Sequence, residues 1–164
     1  MFTLPLNSQA LPYPDPLHPI VVHFVIAMVL FSFGCDLVGY FTGNSRLFEV
    51  SWWNLFVASL AVFVAVLLGQ FEAAIAPTYG AVLPVLASHT FTGWMLAVAI
   101  VIVTAVRFIL RRRKPLSIPA AYLGLSTLLV CLVLFQVYLG TQLVWVYGLH
   151  VEPVVKAIRT GVVR

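Results

Sequence analysis

Twenty residues, Met95–Lys114 (MLAVAIVIVTAVRFILRRRK), decide the architecture of this chain. The first dozen are apolar apart from Thr104, and five of the last eight are basic. A helix at the surface of a soluble domain carries its apolar residues on one stripe. Here they run all the way round, as they do in a helix surrounded by hydrocarbon. Extended upstream to residue 86, the run exceeds the ~20 residues that a spanning helix needs.

The rest of the chain repeats the pattern. Of 164 residues, 62% are apolar and 9% charged, and the mean hydropathy is +1.07, far outside the range of soluble domains. Apolar runs at 19–41, 53–75, 86–108 and 119–147 predict four spanning helices. The expected fold is therefore all-α, an integral membrane four-helix bundle. Residues 17–151 form the four-span domain, between a proline-rich tail (1–16) and a C-terminal tail (152–164). The first tail, with four prolines and no basic residue, does not read as a cleavable signal, so the first span serves as the anchor.

Basic residues predict the orientation. Arg107 and Arg111–Lys114 follow the third span, so that connection should be cytoplasmic, along with Arg46 in the first connection. Both termini then face the outer side of a bacterial inner or thylakoid membrane, although Lys156, Arg159 and Arg164 weigh against this. The net charge of +4 reflects this rule and anionic headgroups, and gives no reason to expect nucleic acid. Cys35 and Cys131 lie within apolar spans without a CxxC, which speaks against a disulfide framework or a cysteine metal site.

All four histidines, His18, His23, His89 and His150, fall at the outer end of the expected bundle, and Glu72 joins them. Pro19 and Pro84 suit first turns of helices, which sets His23 and His89 at matched depth. Beneath His23 lies Ala27, and beneath His89 lie Gly93 and then Ala97, so each imidazole stands over small residues. Such a slot suits a b-type haem ligated by His23 and His89, walled by Phe24, Phe91, Trp94, Tyr138, Trp145 and Tyr147. His18 lies ~140° round a helix from His23, and as the residue before a proline it favours an extended backbone.

Competing readings exist. Small residues at four-residue spacing also let membrane helices approach one another, as Ala61-x3-Ala65-x3-Gly69 does without a histidine on the same helix. His18, His23, His89 and Glu72 could instead build a zinc or copper site. Glu72 alone could neighbour a haem propionate, relay protons, or simply bond to Gln70 or a histidine. Asp36 is expected to cap a helix or pair with basic loop residues, and Tyr40, Trp52 and Trp53 to form an inner aromatic belt.

The HPIVVHF opening, Asp36, LLGQFE (Leu67–Glu72), Ser88-His89 and GTQLVWVYGLHV (Gly140–Val151) resemble the bacterial membrane proteins catalogued as domain of unknown function 2231. In that family the histidines matching His18, His23 and His89 recur, whereas a small residue usually stands at the place of His150. Members are sometimes joined to, or encoded beside, Rieske iron–sulfur domains and terminal-oxidase subunits, which implies electron transfer. Two functions are therefore expected. One is a b-type cytochrome-like carrier or redox-complex subunit moving electrons from a quinol or membrane dehydrogenase to an oxidase or Rieske-type partner. The other is a non-haem accessory subunit of a respiratory or photosynthetic complex, in which a homodimer is also conceivable. An electron carrier or subunit is favoured over a stand-alone enzyme, and a transporter has little support, since no span is broken in mid-membrane.

Overall fold

The computed structural model describes residues 17–163, apart from Leu116 and the side chain of Glu152. The proline-rich tail (1–16) and Arg164 lie outside the described residues. Four long helices follow one another: α1 (Leu17–Thr42), α2 (Ser45–Ile75), α3 (Leu83–Arg113) and α4 (Ala120–Thr141), the last continued by a π-helical turn, Gln142–Val146. A short α5 (Glu152–Arg159) ends the chain. Among the described residues there is no strand, and α1 to α4 are each long and apolar enough to cross a membrane.

The helices run past the apolar segments. α2 and α3 each have 31 residues, or ~46 Å at 1.5 Å per residue, against a hydrocarbon layer ~30 Å thick. α2 starts early because Asn44 caps it, its side-chain oxygen accepting the Arg46 backbone N–H at 3.2 Å. Gly43, at φ +69°, takes the left-handed turn that ends α1. The first connection is thus only Gly43-Asn44. α3 ends late, so Arg107 and Arg111–Arg113, read above as a connecting loop, are helical.

The bundle has two distinct ends. Leu17, Ile75, Leu83 and the π turn lie at one, called here the histidine end; Thr42, Ser45, Arg113 and Ala120 lie at the other, the arginine end. Between them the core holds Val29, Leu55, Ala58, Ala97, Ile100 and Val133. Ala58 and Ala97, both fully buried, let neighbouring backbones approach closely, the usual source of cohesion between helices in lipid.

At the arginine end, Arg107 donates to Asp36 Oδ1 at 2.9 Å and to the Phe48 carbonyl at 3.0 Å. Its guanidinium lies over the rings of Phe48 and Tyr122, at 5.6 and 5.4 Å. Asp36 therefore pairs within the bundle, with a residue of α3, and not with a loop. A free charge at this depth would be costly, and pairing is how it is accommodated. Nearer the surface, Arg111 forms two bonds to Glu49, at 3.0 and 2.7 Å. Tyr40 and Trp53 are exposed as a belt requires, but Trp52 is buried, stacked on Phe56 and covered by Arg111.

Candidate histidine site

α1 begins at Leu17, which puts His18 in its first turn and not in the extended backbone expected before Pro19. The preference before proline is a bias, and here an acceptor overrides it. Glu72 of α2 takes the His18 backbone N–H at 2.8 Å, satisfying one of the donors that every helix leaves open at its start. A carboxylate there also complements the positive end of the helix dipole. Glu72 is buried, so of the roles considered for it, a hydrogen bond to a histidine is the one that the structure displays.

The His18 ring lies across α2. Its Nδ1 is 2.7 Å from the Ala65 carbonyl. Because a carbonyl only accepts, Nδ1 carries a proton, which makes Nε2 the ring nitrogen available as a ligand. The ring occupies the place of a missing side chain: a Cβ on Gly69 would lie 2.8 Å from its Cε1. His89 is seated in a similar way on α4, where a Cβ on Gly140 would come within 3.3 Å of its Cε1. Gln136 Nε2 donates to the His89 carbonyl at 2.9 Å and stands 3.2 and 3.3 Å from its two ring nitrogens. Thr92 holds that amide in turn, donating from Oγ1 to Gln136 Oε1.

The two imidazoles meet edge to face, with ring centroids 6.3 Å apart. They line a cavity of about 90 Å³ together with Glu72, Gly93, Gln136 and His150. His150 arrives from the turn after α4, where Gly148 and His150 both have left-handed backbones, at φ 63° and 65°. A non-glycine residue in that region is held there by its surroundings; buried Leu149, bonded through its N–H to the Leu143 carbonyl at 2.8 Å, is the anchor. Burial pushes the His150 pKa below its ordinary value, with His18 acting in the same direction and Glu72 opposing.

Of the residues read from the sequence, the structure brings His18, His89, Gly93 and Glu72 together and leaves His23 and Ala27 apart. Both of the latter are exposed on the outer face of α1, and His23 Nδ1 is bonded to the Pro19 carbonyl of its own helix, at 2.6 Å. The ~140° between the two positions turns one histidine outward when the other faces in, and α1 turns His18 inward. Of the expected aromatic walls, Phe24, Phe91, Trp94, Tyr138 and Trp145 are exposed; Tyr147 is half-buried, its carbonyl accepting from Tyr79 at 2.9 Å.

A haem between His23 and His89 does not fit this arrangement. One ligand points out of the bundle, and the cavity beside the other, about 90 Å³, is far below the ~300–1,000 Å³ of sites for organic ligands. A single ion is a different matter. Two imidazoles sharing an ion at ~2.0–2.1 Å per bond have centroids ~5.2 Å apart at a tetrahedral angle and ~6.5 Å apart in line, so the 6.3 Å between His18 and His89 fits an ion held at a wide N–metal–N angle. Among the described residues, however, no three His, Cys, Asp or Glu side chains converge as a ready-made metal site.

Gln136, Gly140 and His150 take part without having been assigned a role from the sequence. Gln136, a polar residue deep in an apolar span, was the available signal, and Gly140 stands one helical turn from it. Ala65 and Gly69 read as a helix-contact device, which here receives the ring of a histidine from another helix.

The sequence profile of predicted membrane proteins catalogued as domain of unknown function 2231 matches residues 14–153. The match takes in all four spans, and the chain belongs to this family of multi-pass membrane proteins. No curated protein and no solved structure matches the chain.

Proposed function

We propose that the chain is a non-haem accessory protein of the membrane whose histidine end, facing outward, holds one copper or zinc ion between His18 and His89. The observation that carries this reading is the hydrogen bond from His18 Nδ1 to the Ala65 carbonyl. Histidines that bind metals characteristically give their other ring proton to such an acceptor, which fixes the tautomer and aims the free nitrogen. The chemistry of the donor set agrees, since imidazole suits zinc and copper. Two protein ligands leave coordination positions for water or a partner's side chain, unlike a closed structural zinc site with four protein ligands. That suits an ion passed between proteins, and it fits an accessory subunit beside a larger redox complex. Glu72, engaged with the helix start, balances the charge of the ion. Gln136 and Thr92 hold the orientation of His89.

Titration of the purified, metal-free protein with Zn²⁺ or Cu²⁺ tests the reading. One ion should bind per chain, and His18→Ala or His89→Ala should abolish binding while His23→Ala leaves it intact. Loss of binding in His23→Ala, or undiminished binding in His18→Ala, would overturn the assignment. The b-type cytochrome expectation is tested separately by a dithionite-reduced minus oxidised spectrum, in which haem bands would displace the metal-ion reading.

A further inference from the structure

Far from the histidines, the Asp36–Arg107 pair is incompletely satisfied. Asp36 is fully buried, its Oδ1 takes the bond from Arg107 and the Ser51 and Tyr122 hydroxyls face its carboxylate, but Oδ2, like Arg107 Nε, has no partner at hydrogen-bond distance. A carboxylate oxygen left without a donor in a medium that excludes water is costly. Beside it lies a cavity of about 10 Å³, lined by Asp36, Ser32, Tyr122 and Ser126 among apolar residues such as Val29 and Leu129.

The geometry points to a binding site for one water molecule, bonded to Asp36 Oδ2 and tying α1 to α4 through Ser126. The volume is at the ~10–15 Å³ threshold for a single water, and such a water needs two to four polar partners. Each partner has a consistent role. The Ser126 hydroxyl already donates to the Leu123 carbonyl at 3.0 Å, so its lone pairs are open to one water proton, while Asp36 Oδ2 takes the other. The Tyr122 hydroxyl turns its proton to the Asp36 carboxylate itself and closes the cavity on that side. Ser32 is engaged with Ser51, at 2.9 Å to its carbonyl and 3.0 Å to its hydroxyl. Charge selects a neutral occupant over a cation: Asp36 and Arg107 already cancel, so a sodium ion would leave a net positive charge buried in hydrocarbon. This site is independent of the metal reading above.

Two substitutions at Ser126 separate a wet cavity from a dry one, because alanine and valine both lack the hydroxyl and differ in whether they fill the space. If water is bound, Ser126→Val evicts it and strands Asp36, so it should unfold at a lower temperature than Ser126→Ala in detergent. Ser126→Val the more stable of the two would overturn the proposal, whereas the reverse order is decided by the density in a wild-type structure, because overpacking alone also lowers stability. A high-resolution structure of the wild type supplies the direct reading: one density peak within hydrogen-bond distance of Oδ2, unchanged when sodium is replaced by choline. Absence of the peak, or its loss with sodium, would overturn the neutral-water assignment.

Discussion

The two ends of the bundle handle polar groups in opposite ways. At the arginine end opposite charges meet directly, Asp36 with Arg107 at 2.9 Å and Glu49 with Arg111 at 2.7 Å, and aromatic rings cover the guanidinium groups. At the histidine end Glu72 is spent on a helix N–H, and the imidazoles face a cavity. One end is a knot of paired charges and the other an open socket. The difference teaches that buried polarity in this chain is of two kinds: charges that hold the helices together, and imidazoles that line a cavity with coordinating capacity.

Breaking the knot should have the largest effect. Arg107→Ala leaves a carboxylate alone in the core, and removing one partner of a buried pair costs ~3–5 kcal/mol. The unfolding midpoint in detergent should drop steeply, while the double variant Asp36→Leu/Arg107→Leu should regain much of the loss. If the single and double variants were equally damaged, the pair would not be the source of the stability.

The socket should respond in function more than in stability. Gly69→Ala puts a Cβ 2.8 Å from the His18 ring, against 3.3 Å for Gly140→Ala and His89. Displacing an oriented ligand typically weakens metal binding ~10–100-fold, so zinc titration should rank Gly69→Ala below Gly140→Ala in affinity, with both folded by circular dichroism. The reverse ranking would mean that His89, and not His18, governs the site.

Gln136→Leu sharpens the comparison further. It removes the amide that clamps His89 while preserving apolar packing, and hydrogen bonds between membrane helices average only ~0.6 kcal/mol. Thermal stability should scarcely move, but metal affinity should fall. A large stability loss would make Gln136 part of a knot like that at the other end.

The smallest effect is that of pH on the metal-free protein. The folded-state pKa of His150 is depressed, chiefly by burial, so near its ordinary range the unfolded chain binds more protons than the folded one. The His150 contribution is therefore present above pH ~6.5 and is lost as pH falls below that value. His150→Gln should flatten this part of the stability profile. An unchanged slope would mean that other groups set it.

Length and hydropathy are properties of contiguous residues, so the sequence alone determined that four helices span a membrane and that all four histidines share one end. Family membership was legible too, from short motifs such as HPIVVHF. Tertiary structure decided which histidine counts. In a soluble helix the polar face tells inside from outside, but in a membrane both the lipid-facing and the buried faces are apolar, and the rotation of each helix leaves almost no trace in its sequence. Depth and the proline rule favoured His23 over His18 on paper, and only the packing of α1 against Ala65 and Gly69 turned His18 inward instead. The same holds for Gln136 and His150, which are far from His18 in the chain and share its cavity only when the helices close, and for Gly140, which seats His89. Arg107 reads as one more basic residue at a span's end until the bundle places Asp36 beside it, because electrostatic partners across helices are fixed by rotation and depth together.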